Sequence, residues 1–382
     1  MKNIPPSRLR RIRIWKPGQG IAEIEPNECL NIEKTSLIDL ASNDYLSLSR
    51  HPDLIKAAYK ALTSDGIGAG ASRLITGTRE IHIKLEQSLA EWLGKERVFL
   101  FPSGFQANIA AVMTLANRHT NVIADRMIHN SLLTGIKASG ARLYRYEHND
   151  LNHLEQLLNV CNKKSHNNSN LIITEGLFSM EGSSPNIREL AQLSLRYKAK
   201  ILIDEAHAIG VMGYNGKGLS NQVTENITMI SGTFGKAFGS GGAFVASDEE
   251  TGENLLQNSG AFRYTTALAP SLAAASLAAL TLMKENPKWH LELQMEAKKW
   301  RTTLEENGWN VSQGNSPIIS LIVGSDDKAL YLERHLEKSG IATIAIRPPT
   351  VPEGTARLRI VLRRGLPKRS LDLLIKSLGE AK

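Results

Sequence analysis

A glycine-rich stretch in the second half of the chain surrounds one lysine with unusual chemical potential. It reads SGTFGKAFGSGG (Ser231–Gly242) and holds Lys236 among five glycines and three hydroxyl-bearing residues. A phosphate-binding loop of the form G-x-x-x-x-G-K-[ST] needs a glycine and a hydroxyl where this chain has Ile230 and Ala237. The strand-like runs ITMI and GGAFVAS flank the stretch. We therefore predict that Lys236 acts in a buried site and is not a surface charge.

An aspartate at the end of another apolar run is a candidate partner for this lysine. The run ILIDEAHAIG places Asp204 at its end and His207 three residues later. A buried carboxylate without a partner is costly, and a protonated heterocyclic nitrogen would be a suitable one. Enzymes that use pyridoxal phosphate pair a Schiff-base lysine with such an acid, so Asp204 and Lys236 fit that pair. The structural alternative is a helix-capping aspartate and a packed histidine.

Three further stretches place polar groups after predicted strands. FPSGFQANIAAV puts Ser103, Gly104 and Phe105 directly before a helix, where free backbone N–H groups favour a phosphate. DRMIHNSLLTG adds His129, whose imidazole could lie flat against an aromatic ring or could cap the following helix. TEGLFSMEG adds Ser179, a candidate hydrogen-bond donor to a cofactor ring.

The elements that must position these residues alternate between short apolar runs and helix-length segments. The apolar runs are VFLF near Val98, NVIAD ending at Asp125, RLYRY, NLIITE ending at Glu175, KILIDE reaching Asp204, and ITMIS. Between them lie segments such as 105–117 and 187–197 with helical patterns. This alternation predicts an α/β domain with a mostly parallel sheet. Ligands bind such sheets at the carboxyl ends of the strands, where the polar residues above are expected.

The pattern changes after Thr265. An Ala/Leu-rich helix is predicted from about Ala269, followed by the amphipathic helix WHLELQMEAKKWRTTLEEN, the strands PIISLIVG and ARLRIVL, and a final helix, KRSLDLLIKSLGEA. We predict three parts: an N-terminal arm at 1–42, a large pyridoxal-phosphate-binding α/β domain at 43–268 and a small α+β domain at 269–382.

Composition excludes several classes of protein. The chain has 382 residues, 42% of them hydrophobic and 22% charged, with a net charge of +8. No apolar run approaches the about eighteen residues of a membrane span. The N-terminus MKNIPPSRLRRIRIW lacks the apolar core of a secretory signal, which predicts a cytoplasmic protein. Basic residues are scattered apart from RLRRIR and RLRIVLRRG, so we expect an anionic substrate or acidic partner and no nucleic acid.

Two other patterns carry no site. Cys29 and Cys161 lie far apart without a C-x-x-C partner, so we expect neither a disulfide nor a metal site. GIGAGA (Gly66–Ala71) matches G-x-G-x-x-[GA], but a dinucleotide site requires a preceding strand, and the preceding LIKAAYKAL is helix-like. We interpret this stretch as a hinge or a substrate-lining loop.

Six stretches together resemble the α-oxoamine synthases, pyridoxal-phosphate enzymes of the aspartate-aminotransferase fold (fold type I). They read LASNDYLSLSRHP, GIGAGASRLITGTREIHIKLEQSLAEWLG, FPSGFQAN, DEAHAIGVMG, SGTFGKAFGSGGAF and IRPPTVPEGTARLRI, and the resemblance runs from about Ser42 to the C-terminus. It implies an α/β fold with a mostly parallel seven-stranded sheet, a smaller α+β C-terminal domain, and a homodimer with shared active sites.

The resemblance also implies an activity. RPPTVPEGTARLRI is similar to the members that condense L-alanine with a pimeloyl thioester in biotin biosynthesis, on either acyl carrier protein or coenzyme A. One alternative is another member, such as glycine C-acetyltransferase, which joins glycine to acetyl-coenzyme A. A non-catalytic basic binding protein on a degenerate enzyme scaffold is the alternative from a different class.

The family's residue roles carry over to matching positions of this chain. The expected catalytic residues are Lys236, which would bind the cofactor and transfer the α-proton, with Asp204 at the pyridine nitrogen, His129 stacked on the ring and His207 beside the ring hydroxyl. The other expected cofactor contacts are Ser179 at the ring hydroxyl and Gly104, Phe105 and Thr233 at the phosphate, with Thr265 or Thr266 from a second subunit. The expected substrate contacts are Asn43 and Arg359 at the amino-acid carboxylate, Thr350 near the acyl substrate, His129, and Arg10, Arg11 or Arg13, of which Arg10 is favoured.

Overall fold

The structure is a computed structural model that describes residues 5–10, 12–16, 20–23, 37–164 and 169–379. Its contacts divide the chain into two compact units. The large unit comprises Asp44–Phe178 and Ser184–Glu292, and the small unit comprises the described parts of Met1–Asn43, Ser179–Ser183 and Leu293–Lys382. The domain boundaries expected at residues 42 and 268 remain predictions.

The strands of the described residues are β1 (Arg13–Lys16), β2 (Gly20–Glu23), β3 (Ile38–Asp39), β4 (Arg97–Phe101), β5 (Thr120–Asp125), β6 (Arg142–Tyr146), β7 (Ser169–Glu175), β8 (Lys200–Asp204), β9 (Met229–Thr233), β10 (Ala243–Ser247), β11 (Ile318–Gly324), β12 (Ile341–Ala342), β13 (Ile344–Ile346) and β14 (Ala356–Val361). The helices are α1 (Pro52–Asp65), α2 (Glu80–Leu93), α3 (Gly104–Leu115), α4 (Asn130–Ser139), α5 (Leu151–Lys164), α6 (Ile187–Tyr197), α7 (Glu249–Asn258), α8 (Gly260–Arg263), α9 (Pro270–Glu285), α10 (Trp289–Glu306), α11 (Asp326–Lys338) and α12 (Ser370–Leu378). Short 3₁₀ turns occur at Pro6–Arg8, Tyr214–Gly216 and Ser220–Asn226.

The large unit is built on a seven-stranded sheet with the order β4-β10-β9-β8-β7-β5-β6. The run from β9 to β6 is parallel, and β10 is antiparallel to both β4 and β9. Central strands are almost entirely buried, as expected for a parallel sheet covered on both faces. This confirms the predicted α/β fold with a mostly parallel sheet.

The register of the sheet places three polar residues side by side. Asp204 pairs with Glu175 on one neighbouring strand and with Ser231 on the other. Each of these residues lies at or near the carboxyl end of its strand. The geometry of a parallel sheet therefore collects polar groups from distant parts of the sequence at one edge.

Helix α3 packs on this sheet through small residues. Ala107, Ala110 and Ala111 are fully buried, so the helix approaches the strands closely. The helix begins at Gly104 because the Ser103 hydroxyl oxygen accepts a hydrogen bond from Gln106 N at 3.3 Å and caps the first turn. This cap fixes the position of the helix start.

The predicted helix before GIGAGA is confirmed, because α1 continues to Asp65 and its C-cap is Gly66, with φ +84°. Helix, not strand, thus precedes the glycine-rich match, and the dinucleotide interpretation fails. Cys161 is a buried thiol, whereas Cys29 lies outside the described residues. Among the helices of the described ranges, none is both long and apolar enough to cross a bilayer.

The small unit contains a three-stranded antiparallel sheet, β11-β14-β13. Near the N-terminus β1 and β2 form an antiparallel pair, and β3 pairs in parallel with β12. The short segment Ser179–Ser183 also belongs to this unit, although in the sequence it lies between β7 and α6 of the large unit.

Hydrogen bonds from the small unit hold this segment. Arg359 Nε donates to Ser179 O at 2.6 Å, and Ser320 Oγ donates to Met180 O at 2.5 Å. Ser316 Oγ donates to Gly182 O at 2.8 Å. Three carbonyl groups of the segment, at residues 179, 180 and 182, are therefore bound by side chains of the small unit.

Candidate active site

A cavity of about 250 Å³ lies at the carboxyl ends of β7, β8 and β9 in the large unit. Its lining consists of Gly104, Phe105, Asn108, His129, Ser131, Glu175, Asp204, Ala206, His207, Ser231, Gly232, Thr233 and Lys236. Seven residues expected from the sequence thus come together, namely Gly104, Phe105, His129, Asp204, His207, Thr233 and Lys236. They come from four separate strand-to-helix or strand-to-strand connections.

The loop that carries Lys236 joins β9 to β10 and is anchored by aromatic side chains. Phe234 and Phe238 are fully buried, with ring centroids 5.1 Å apart. Gly239 has a φ of +62°, and a Cβ at this position would overlap the backbone of Ser49. Only glycine fits both conditions, so close packing within the protein fixes the backbone beside Lys236.

The Asp204 carboxylate accepts hydrogen bonds on both oxygens. Oδ1 accepts from Ala206 N at 2.8 Å, and Oδ2 accepts from Asn108 Nδ2 at 2.7 Å. Asp204 is 6% exposed and nevertheless lines the cavity. Two neutral donors of this kind stabilise and orient a carboxylate, which leaves its charge available to a cationic group in the cavity.

His207 has a partner that the sequence did not indicate. Tyr45 Oη lies 2.7 Å from His207 Nδ1, although the two residues are 162 positions apart. Tyr45 is fully buried. It lies in the stretch LASNDYLSLSRHP, but no local pattern connects that stretch with His207.

His129 is both a helix cap and a cavity residue. It is the N-cap of α4, where Nδ1 accepts from Ser131 N at 3.3 Å, and its own backbone N donates to Glu175 Oε1 at 2.6 Å. Its ring lies edge-on to Phe105, with centroids 6.4 Å apart. Burial lowers the pKa of His129, the Asp204 carboxylate raises it and Lys236 lowers it further. The two interpretations of His129 from sequence are therefore compatible.

The start of α3 and the end of β9 form one end of the cavity. Gly104 and Phe105 occupy the first turn of the helix, where backbone N–H groups have no carbonyl partner within the helix. Thr233 Oγ1 donates to Gly242 O at 2.9 Å and accepts from Gly235 N at 3.2 Å. A Cβ at Gly104 would lie 3.7 Å from Thr233 Cβ, so these residues are immediate neighbours.

Three expected residues meet in the small unit. Arg359 donates to Ser179 O and, through Nη2, to Asn43 Oδ1 at 2.9 Å. The same strand carries Arg357, whose Nη1 lies 3.3 Å from Glu181 Oε1. The acidic partner of Arg357 balances its charge, whereas Ser179 O and Asn43 Oδ1, which accept from Arg359, are neutral oxygens.

The arm arginines have different partners. Arg8 pairs with Asp326 at 2.8 Å and Glu353 at 2.5 Å, and Arg13 pairs with Glu337 at 2.5 Å. Arg10 Nη2 instead lies 3.3 Å from the carbonyl oxygen of Arg347 and 3.5 Å from Thr350 Oγ1. Arg11 lies outside the described residues. The structure thus brings together Arg10 and Thr350, two of the expected substrate residues.

Thr265 and Thr266 are not part of the cavity lining of their own chain. Thr266 forms an isolated antiparallel bridge with Ser72, and Ala267 N donates to Ala71 O at 3.0 Å. Thr266 is exposed. This position is compatible with the expectation that one of these threonines serves a second copy.

Sequence reasoning missed several cavity residues, among them Asn108, whose side chain makes three hydrogen bonds. Asn108 lies one helical turn after Gly104 and is buried between Ala107 and an apolar run. A single polar residue inside the apolar stretch ANIAAV was the available signal, because buried polar side chains need partners. Glu175 ends an apolar run, as Asp204 does, so a signal for it was available. Ser131 and Ser231 offered no such contrast.

The chain is similar in sequence to a known family of proteins. Residues 35–378 match the family model described as aminotransferase class I and II. The chain belongs to this family. Two curated relatives named 8-amino-7-oxononanoate synthase are each 39% identical to it. That of Acidithiobacillus ferrooxidans matches over 98% of this chain and 96% of its own length, and that of Saccharophagus degradans over 91% and 87%.

Solved structures agree with this assignment. The 8-amino-7-oxononanoate synthase of Francisella tularensis has a TM-score of 0.76 and 31% identity, with 90% of this chain and 96% of that chain covered. A variant of the serine palmitoyltransferase from S. paucimobilis, with a bound PLP–myriocin aldimine, has a TM-score of 0.86 and 26% identity, with 91% of this chain and 87% of that chain covered. The resemblance to the α-oxoamine synthases, and the fold expected from it, are confirmed.

Proposed function

We propose that this chain is a pyridoxal-phosphate-dependent acyltransferase that condenses L-alanine with a pimeloyl thioester. The products are 8-amino-7-oxononanoate, carbon dioxide and the free thiol of the carrier. The observation that carries the proposal is the shared cavity of Lys236 and Asp204, an amine and an acid of the kind that this cofactor requires. The names of the relatives support the choice of substrates.

The donor set of the cavity fits pyridoxal 5′-phosphate. Lys236 would attach to its aldehyde, Asp204 would face its ring nitrogen, and His129 would cover the ring. The first-turn N–H groups of Gly104 and Phe105, with the Thr233 hydroxyl, would bind its phosphate. His207, held by Tyr45, and Ser179 would serve the ring hydroxyl.

Side chains of the protein would then control the transfer of the α-proton of alanine. Bound pyridoxal 5′-phosphate supplies an electron sink for the negative charge that develops at the α-carbon of an amino acid. Asp204 would keep a proton on the ring nitrogen, because a carboxylate favours the cationic form of a neighbouring base. The amine of Lys236 would remove the α-proton of alanine and later return a proton to the product.

Substrate recognition is proposed for side chains of the small unit. Arg359, oriented by Asn43 and Ser179 O, would bind the alanine carboxylate through its planar fork of N–H groups. Arg10 and Thr350 would contact the acyl substrate. The acyl donor would be pimeloyl-acyl carrier protein or pimeloyl-coenzyme A.

We further propose a homodimer in which each copy completes the other's site with Thr265 or Thr266. Helix α1 exposes Ile55, Tyr59 and Leu62, which are 57%, 68% and 41% exposed and recur at helical spacing on one face. An apolar stripe of this kind favours coverage by another protein surface. Light scattering of the Tyr59→Glu variant should report monomer together with weaker cofactor binding. A dimeric variant with unchanged cofactor affinity would contradict this assignment of the interface.

The function is tested with the purified chain reconstituted with pyridoxal 5′-phosphate. We expect a visible absorption band and, with L-alanine and pimeloyl-coenzyme A or pimeloyl-acyl carrier protein, formation of 8-amino-7-oxononanoate detected by mass spectrometry. Glycine with acetyl-coenzyme A and serine with palmitoyl-coenzyme A serve as competing pairs. Lys236→Ala should lose both the covalent band and turnover. Preference for a competing pair would replace the proposed substrates.

A further inference from the structure

Asn108 lies at the centre of a buried hydrogen-bond network on the wall of the cavity. Its Nδ2 donates to Asp204 Oδ2 at 2.7 Å and to Ser131 Oγ at 2.9 Å. Its Oδ1 accepts from Ser231 Oγ at 2.6 Å. Asn108, Ser131 and Ser231 are 4%, 0% and 2% exposed, so bulk water does not compete for these bonds.

Chemistry fixes the direction of each bond in the network. An ionised carboxylate only accepts, so the amide nitrogen of Asn108, and not its oxygen, must face Asp204. The two amide hydrogens are then used by Asp204 and Ser131, and the amide oxygen takes the hydroxyl hydrogen of Ser231. Every polar atom of the Asn108 side chain has a partner.

The direction of the bonds continues from Ser131 to His129. Because the Ser131 hydroxyl oxygen accepts from Asn108, its own hydrogen is free to be donated, and His129 Nδ1 lies 2.7 Å away. The backbone N–H of Ser131 points to the same nitrogen at 3.3 Å. Both donors need a lone pair on Nδ1, so the ring proton of neutral His129 must sit on Nε2.

We propose that Asn108 is a positioning residue whose amide orients the Asp204 carboxylate and, through the Ser131 hydroxyl, fixes His129 in the tautomer protonated on Nε2. The inference rests on the proposed function only in giving Asp204 the ring nitrogen as its partner. A cationic His129 would compete with that nitrogen for the Asp204 carboxylate. The network prevents this competition by occupying Nδ1 with donors. Burial, which lowers the pKa of His129, acts in the same direction.

The first test is the tautomer of His129 in the full chain, with and without pyridoxal 5′-phosphate. Ring ¹⁵N NMR distinguishes a protonated from an unprotonated imidazole nitrogen, and the His129 signals are assigned by their loss in His129→Gln. We expect wild-type Nε2 to be protonated and Nδ1 to be an acceptor. Protonation of wild-type Nδ1 would overturn the proposal, whether or not any variant folds.

The second test compares variants that cut the network at different points. Ser131→Ala should change the His129 signals and leave cofactor affinity within about twofold, since the bond from Asn108 to Asp204 remains. Asn108→Leu should change the same signals and also weaken cofactor binding about tenfold, the usual size of one hydrogen bond to a charged group. It should lower kcat more than it raises KM for alanine.

Asn121→Leu is the matched control. Asn121 is buried in β5 of the same sheet and donates from Nδ2 to Asn170 Oδ1 at 3.1 Å, away from the cavity lining. It should lose thermal stability but keep the His129 signals and the cofactor affinity of the wild type. Equal effects of Asn108→Leu and Asn121→Leu on cofactor affinity would reduce Asn108 to a packing residue.

The two proposals fail in different ways. If wild-type protein makes no 8-amino-7-oxononanoate but shows the expected tautomer and variant pattern, the network stands and the substrate assignment falls. If turnover is as proposed but Asn108→Leu keeps the wild-type His129 signals and cofactor affinity, the positioning role falls and the function stands.

Discussion

Arg359 and Asn43, 316 positions apart in the sequence, are joined by a hydrogen bond of 2.9 Å from Nη2 to Oδ1. A second bond of 2.6 Å from Nε to Ser179 O fixes the same guanidinium at another corner. Arg359 is only 5% exposed. Two fixed corners set the plane of the guanidinium, so its remaining N–H groups have a defined direction in which to meet a carboxylate.

Replacement of Arg359 by lysine tests this arrangement. Arg359→Lys keeps a positive charge but cannot make the planar two-bond contact, so we expect KM for alanine to rise by at least about tenfold, equivalent to about 1.4 kcal/mol. KM for the thioester should change less than about threefold, well below one strong hydrogen bond. Steady-state kinetics with each substrate varied in turn checks both values. A larger effect on the thioester would assign Arg359 to the acyl substrate.

Replacement of Asp204 by asparagine tests the acid. Asp204→Asn should still bind cofactor but lose at least about 100-fold in turnover, because a neutral amide no longer favours a proton on the ring nitrogen. The neighbouring Glu205 provides the matched control. Glu205 is not part of the cavity lining, and glutamine keeps an oxygen that can accept from Ser220 N, so Glu205→Gln should keep turnover within about threefold. Wild-type turnover in Asp204→Asn would remove Asp204 from the proposed role.

The arm arginines give a prediction about ionic strength. Arg10 faces neutral oxygens, whereas Arg8 is paired with Asp326 and Glu353. We expect Arg10→Gln to raise KM for the thioester about tenfold and to flatten its dependence on salt, because charge attraction is screened beyond about 8 Å at physiological ionic strength. Arg8→Gln removes the same charge and serves as the control. It should leave KM for the thioester nearly unchanged. Equal kinetic effects of both changes would point to a general charge effect of the arm.

His82 predicts how stability depends on pH. Burial lowers the pKa of His82 to about 4 from 6.5, with a smaller lowering by Arg73 and Arg79, although the hydrogen bond to Leu268 O acts in the opposite direction. The ring accepts from Arg79 N on Nδ1 and bonds to Leu268 O through Nε2. The unfolded chain therefore binds a proton that the folded chain refuses, and the free energy of unfolding should fall as pH decreases from 6.5 towards about 4.

Glutamine can make both bonds without titrating, and it is a usual residue at this position of a capping box. His82→Gln should thus unfold with a smaller pH dependence in that window and remain within about 1 kcal/mol of the wild type at neutral pH. Urea titrations at several pH values measure this. His119→Gln, at an exposed residue, is the control. An unchanged pH dependence in His82→Gln would exclude His82 as its source.

The sequence was most informative where local pattern and topology act together. Asp204 and Lys236 could be predicted to share a site because each follows an apolar run, and parallel strands bring such ends to one edge. Hydrogen-bond partners that are distant in the sequence could not be predicted, because no local sequence pattern marks them. Tyr45 meets His207 across 162 residues, and Asn108 meets Asp204 across 96. Only the packing of α3 and of the segment before α1 creates these contacts.

The N-terminal part was unpredictable for a similar reason. Strand β3 is two residues long and pairs with β12 from the other end of the chain, so no periodicity marks it.

Ser179 was expected within the large domain because it follows β7. The segment that contains Ser179 groups with the small unit. Its backbone carbonyl groups accept hydrogen bonds from that unit, and the residue types in the sequence give no sign of such bonds.

The interleaving of Ser179–Ser183 with the surrounding large-unit chain limits how the gene can be divided. A fragment that stops at residue 292 would retain this segment but lose Ser316, Ser320 and Arg359, which bind its carbonyl groups. Exchange of C-terminal coding segments between homologues should therefore succeed when the incoming segment carries donors at positions 316, 320 and 359, because the backbone carbonyl groups of residues 179–183 are present whatever their side chains. The small unit is assembled from separate stretches of the chain, and loss of the C-terminal stretch, or of its donor side chains, would leave backbone acceptors of residues 179–183 with no donor.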